Sequence, residues 1–122
     1  MGENKEYLIH PGEGGSVSIS EEVIAVIAAN AAKETEGVAL LSTSVGKEIA
    51  DILGRKTLPK GVRITSSDGA VTADVCVVVK FGSPVGEVGE CVQRNVSSAI
   101  EAMTGFSVAA VNVHICGISM GK

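Results

Sequence analysis

The chain switches between two hydrophobic periods. At SVSIS, Val17 and Ile19 fall on one side and Ser16 and Ser18 on the other, which predicts a half-buried strand. From Glu21 to about Glu36 the period becomes helical, with Val23, Ile24, Ile27, Ala28 and Ala31 forming one apolar stripe. Ser20 is placed to cap this helix, Glu21 and Glu22 suit its first turn, and Ile19 and Ile24 have the spacing of a hydrophobic staple. Gly37 predicts a left-handed stop. GVALLSTS then predicts a short strand, and VGKEIADILG a short helix with Val45, Ile49, Ile52 and Leu53 on one face.

Period two returns at Gly61. VRIT, SSDGA and VTADVCVVVKF predict a hairpin closed at Asp68-Gly69. Its inward set is Val62, Ile64, Val71, Ala73, Val75, Val77, Val79 and Phe81; Arg63, Thr65, Thr72, Asp74, Cys76 and Lys80 face the other way. Ser83-Pro84 predicts a helix start, a capping hydroxyl followed by Pro at the first helical position. Val85, Val88, Val92, Val96, Ile100 and Met103 then recur at three- and four-residue steps. Gly105 predicts the end of this helix, with Phe106 folding back on Ile100. In SVAAVNVHICGIS, Val111, Val113 and Ile115 face in, and Asn112, His114 and Cys116 face out.

The order β-α-β-(short α)-β-β-α-β predicts an α+β two-layer sandwich, a mixed sheet with both long helices on one face. The opposite face is polar, and Asp74, Lys80, Asn112 and His114 mark it as a candidate exposed sheet face. Residues 1–14 read as a flexible leader, 15–118 as a single domain and 119–122 as a short tail. Two glycines, Gly86 and Gly89, interrupt the second long helix, where each costs about 1 kcal/mol relative to Ala. The expectation is that this turn lies close to the sheet and needs the room; the rival reading is a smooth surface for a partner.

Composition narrows the function. The chain has 122 residues, 45% of them apolar, but one Tyr and two Phe, so the core must be built from Val, Ile, Ala and Leu. A net charge of -4 argues against nucleic-acid or anionic-membrane binding by long-range field. Three cysteines without metal-ligand spacing suggest neither a disulfide framework nor a metal centre, and favour a reducing cytoplasm. No apolar run is long enough to span a bilayer, so an envelope location requires a partner and no direct membrane insertion is expected.

Against this acidity, ILGRKTLPKGVRI gathers Arg55, Lys56, Lys60 and Arg63, four of the ten basic residues. These form a candidate partner contact, read either as a solvated connector or as a site for an acidic partner or phosphate. The absence of a neighbouring stacking aromatic disfavours nucleic acid. Cys76, His114 and Cys116 would approach one another if their strands are neighbours, but they lack a fourth ligand, and packing is the simpler role for the thiols. Glu87, Glu90, Arg94 and Glu101 read as a solvated helix face. No acid is paired with a base, a nucleophile or a phosphate cradle, so neither catalysis nor a cofactor is expected.

Four stretches, in order, carry a resemblance: GSVSISEEVIAVIAANAAKETEGV, ILGRKTLPKGVRI, ADVCVVVKFG and VGEVGECVQRNVSSAIEAMTGFSVAAVNVHICGI. Together they resemble the alkaline shock protein family, the Gls-type general stress proteins of Gram-positive bacteria. The resemblance implies a small, non-enzymatic cytoplasmic protein of the envelope stress response. It further implies self-association into homo-oligomers and recruitment to the membrane by a separate anchor protein. The LGRK-x-x-x-KGV run and the VNVHI ending look more like a subgroup tied to fatty-acid synthesis through acetyl-CoA carboxylase. The family has no established catalytic residues, so the resemblance assigns none.

Overall fold

The computed structural model describes residues 7–42 and 61–120. Its elements are β1 (Tyr7–Gly12), β2 (Gly15–Ser20), α1 (Glu21–Lys33), β3 (Val38–Leu41), β4 (Val62–Ser67), β5 (Ala70–Lys80), α2 (Val85–Thr104) and β6 (Ser107–Ser119). The short helix expected between β3 and β4 lies outside the described residues. The long elements follow the predicted order, and both helices pack on one face of a mixed sheet.

Strand β5 is the centre of that sheet. Strand β4 pairs antiparallel with its first half, from Val62 against Val75 to Ser67 against Ala70. Strand β3 pairs antiparallel with its second half, Leu41 against Val77 and Val38 against Val79. Strand β6 pairs parallel along the full length, from Ala70 to Lys80. A strand has two hydrogen-bonding edges, so β3 and β4 must share one edge end to end while β6 takes the other. The turn between β4 and β5 has positive φ at Asp68 and Gly69, 55° and 78°, the signature of the tight hairpin that this dipeptide favours.

The core is aliphatic throughout. Val71, Ala73, Val75, Val77 and Val79 of β5, with Val62 and Ile64 of β4, bury the inner sheet face. Against it lie Ile24, Ile27, Ala28 and Ala32 of α1 and Val88, Val92, Val96 and Ile100 of α2. A polar link ties α2 to the turn that follows α1: Asn95 Nδ2 donates to Thr35 Oγ1 at 2.9 Å, and that hydroxyl donates to the Ala31 carbonyl at 3.0 Å.

Several local expectations are corrected. Phe81, assigned to the inward set, is 70% exposed, because β5 ends at Lys80 and the chain turns through Gly82 at φ 95°. Val23 and Met103 are exposed too. The buried stripe of α2 steps strictly by four, from Val88 to Thr104, and so drifts about 40° per step around a helix of 3.6 residues per turn. Thr104 therefore takes the place expected for Met103. Its hydroxyl donates to the Ile100 carbonyl and accepts from the Phe106 amide at 3.1 Å, just before the left-handed cap at Gly105.

Two helix ends also differ. Pro84, rather than Ser83, is the N-cap of α2, and no side chain caps that end. Helix α1 stops at Lys33, ahead of Gly37. Gly37 has a packing role instead: a Cβ there would sit 2.6 Å from Cγ2 of Val88, at the crossing of the chain with α2. The Ser20 cap is as expected, its hydroxyl accepting from the Val23 amide at 3.2 Å.

The stretch read as leader contains β1. It pairs with β2 as a separate two-stranded sheet, Tyr7 against Ser20 through Gly12 against Gly15. Leu8 on its inner face is buried. A run of three apolar residues, Tyr7–Ile9, was too short to announce a strand.

The fold leans on completely enclosed aliphatic side chains. Replacing Ile100, which has no exposed surface, by Ala is expected to lower the unfolding free energy by about 3 kcal/mol in urea denaturation. An unchanged midpoint would contradict this packing.

Candidate functional site

Three surfaces carry the residues singled out by the sequence. The first is the sheet face opposite the helices. The parallel register places Asp74 against Asn112 and Cys76 against His114, so the two long strands are neighbours and these side chains share one face. A bulge between Val77 and Val78 leaves Cys116 as an extra residue on β6, beside the same cluster. Lys80 and Asn112 are exposed, His114 is half-buried, and Asp74 and Cys76 are buried. This centre is drier than its alternation suggested, because side chains on β4 and β6 flank the middle strand.

Within the cluster, Asn112 Nδ2 donates to Asp74 Oδ1 at 3.1 Å. His114 Nε2 lies 3.5 Å from the same oxygen without the alignment of a hydrogen bond, an electrostatic contact at most. Burial pushes the Cys76 thiol up to about 12, with further rises from its hydrogen bond and charge interaction with Cys116 and from the Asp74 carboxylate. The thiolate is the nucleophile and metal-binding form, so Cys76 stays chemically silent near neutral pH. Among the described residues no group of three or more His, Cys, Asp or Glu side chains is arranged to hold a metal ion. The register unites Cys76, His114 and Cys116, but as a packed polar cluster.

The second surface is the basic segment. Arg63 lies on β4, opposite Asp74 in register and partly exposed. Arg55, Lys56 and Lys60 lie outside the described residues.

The third surface was not singled out as a site. A groove runs between α2 and the outer edge of β6. One stretch of about 330 Å³ is lined by Gln93, Arg94, Ser97 and the strand from Val108 to Val111. The next, about 290 Å³, is lined by Val85, Gly86, Gly89 and Glu90 on the helix and by Val113 and Ile115 on the strand. The two meet at Gln93, which donates from Nε2 to the Val111 carbonyl at 3.1 Å. A Cβ at Gly86 or Gly89 would meet nothing within 4 Å. The expectation that these glycines make room for the sheet is therefore overturned. They are open positions on a groove wall, and the pair itself was the available signal.

Because the space is open, Gly89→Ala is expected to raise the unfolding free energy by up to about 1 kcal/mol through helix propensity alone, measurable as a higher denaturation midpoint. A fall would show that the position is crowded. The thiol gives a second outcome. Unfolding returns Cys76 to an ordinary pKa near 9.0, so the unfolded chain releases a proton that the folded chain retains up to about 12. The stability this supplies is complete below pH 9 and is lost as pH rises through that window. Cys76→Ser is expected to flatten that part of the stability profile, and in the native protein a disulfide reagent at pH 8 should reach Cys76 only on unfolding. Rapid native-state labelling of Cys76 would refute the burial.

With this geometry in hand, comparison with known proteins identifies the chain's relatives. Residues 10–120 match the alkaline shock protein 23 family, described by its cell envelope-related function. Protein YqhY of Bacillus subtilis (strain 168) is 38% identical over 104 residues, covering 85% of this chain and 77% of the relative. Spy1535 of Streptococcus pyogenes serotype M6 is 38% identical over 109 residues, covering 88% and 82%. Both are described as uncharacterized. The zinc form of a MamM CTD variant superposes with a TM-score of 0.51 at 13% identity, covering 83% of this chain and 89% of that one, a likeness of fold alone. The described residues contain no helix long and apolar enough to cross a membrane. The chain belongs to the alkaline shock protein 23 family of cell envelope-related proteins.

Proposed function

We propose that this protein serves the envelope stress response without catalysing a reaction, by associating with copies of itself and with a partner that holds it at the membrane. The observation that supports this most is the β1–β2 hairpin. Two-stranded hairpins are marginal on their own, yet this one is separate from the main sheet and exposes apolar side chains on both faces. Tyr7 and Ile9 are 57% and 59% exposed on one face. Val17, which alternates with them in register, is 61% exposed on the other. Apolar surface of this kind is stabilised by covering it with another protein surface. The polar cluster around Asp74 supports the same reading, since its Cys76 thiol is protonated and the Asp74 carboxylate accepts from Asn112.

Sedimentation across a concentration series tests this. The chain is expected to self-associate, and Ile9→Ser with Val17→Ser to raise the concentration of half-association at least about tenfold, with the monomer still folded. A chain that remains monomeric at high concentration would end the self-association. Crosslinked capture from cells then separates the partners. A membrane protein would support the envelope role. Acetyl-CoA carboxylase subunits lost on charge reversal of Arg55, Lys56, Lys60 and Arg63 would replace it with a regulator of fatty-acid synthesis.

A further inference from the structure

Among the described residues β6 pairs with β5 alone, so its outer edge is a place for one more strand. In a strand, the N–H and C=O of one residue point to the same side, and successive residues point to opposite sides. The Val111 carbonyl points away from β5, since Gln93 reaches it from α2. Val113 and Ile115, two and four residues on, therefore present their backbone groups to the same outer side. Nearer the start of β6 the helix supplies substitutes for a neighbouring strand: Gln93 on the Val111 carbonyl, and the Glu101 carboxylate accepting from the Val108 amide at 3.2 Å. Beside Val113 and Ile115 the helix instead carries Gly86 and Gly89, with no side chains to reach across. The groove there is open, lined by Val85 and Glu90 on the helix and by Val113 and Ile115 on the strand.

We propose that this half of β6, from Val113 to Ile118, docks an extended segment of a different protein, one that alternates apolar and basic residues. Unpaired strand edges recognise extended backbone, and side chains at alternate positions supply specificity. The apolar residues would lie over Gly86 and Gly89 and continue onto exposed Phe81 and Ile118, which the Phe81 amide joins by donating to the Ser119 carbonyl at 2.8 Å. The basic residues answer Glu90, which lines the groove, and Glu87, exposed on the same turn of α2. A second copy fits less well. Two-fold pairing of this half-strand with itself would set two copies of one acidic turn, Glu87 and Glu90, along the same interface, and like charges set side by side are unfavourable. The inference deepens the contact reading given above, and rests on it in taking the ligand to be a protein.

The test uses the full chain labelled with nitrogen-15 and two capped peptides, one alternating lysine with valine and one alternating glutamate with valine. The lysine peptide is expected to shift the amides of Val113 and Ile115 saturably and to slow their exchange with solvent. The glutamate peptide should bind about tenfold more weakly. Gly89→Phe, which fills the groove, should abolish the effect, while Gly89→Ala preserves it. No shift overturns the proposal, as do equal shifts with both peptides or shifts confined to the hairpin. Protection of these amides that grows with protein concentration in the absence of peptide also overturns it, and assigns the edge to a second copy. Sedimentation of the same sample keeps the two readings apart. A chain that binds the lysine peptide but stays monomeric retains the edge site and loses the self-association. A chain that associates through the hairpin but ignores the peptide does the reverse.

Discussion

Strand β5 holds this molecule together. The other three strands of the main sheet hydrogen-bond to it, two sharing one edge and one occupying the other. Both helices pack on the face whose central row is Val71, Ala73, Val75, Val77 and Val79, none of them exposed. This central row is β-branched but for Ala73, which suits a pleated, two-sided strand. Because β3 and β4 lie end to end, the sheet formed by the described residues is three strands wide, narrow for two helices side by side. Helix α2 consequently stands over the outermost strand, β6, and flanks an edge that a wider sheet would have paired.

An aliphatic core of this kind sets tight limits on its connections. With few aromatics to fill space, layers must approach closely. The chain does so at Gly37, where a side chain would strike Val88, and at Gly61, where one would lie 2.8 Å from Leu41 Cβ. These glycines are required by packing. Gly86 and Gly89, with open space around them, are not, and the contrast gives the groove its interest.

Much of the fold was legible because periodicity reports burial directly. The strand alternation from Val62 to Val79 and the four-residue stepping of α2 both appear in the buried set. The failures sit where tertiary geometry decides. Phe81 continued the alternation of β5, but the strand had ended; Met103 continued the stripe of α2, but the stripe had drifted onto Thr104. The β1 strand was hidden by its brevity and its glycines. The meeting of Cys76 with His114 depended on which strands pair and in what register, and a linear pattern does not encode that. The burial of Asp74 follows from the same pairing, since on the middle strand it sits between Arg63 of β4 and Asn112 of β6.

The glycines of α2 carry the strongest argument for function in the structure. A helix-interior glycine sacrifices stability relative to alanine, and natural sequences tolerate that where a close contact or a function compensates. The neighbouring side chains leave open space at both positions, so no contact within the described fold compensates. The loss falls beside the one half of β6 where α2 stops supplying strand-like hydrogen bonds through Gln93 and Glu101. Two departures from a sealed surface, a pair of helix glycines and a strand edge without substitutes among the described residues, thus coincide along one groove. Folding alone asks for neither, whereas docking of an extended chain requires both: the space that glycine leaves and the backbone groups that Val113 and Ile115 present.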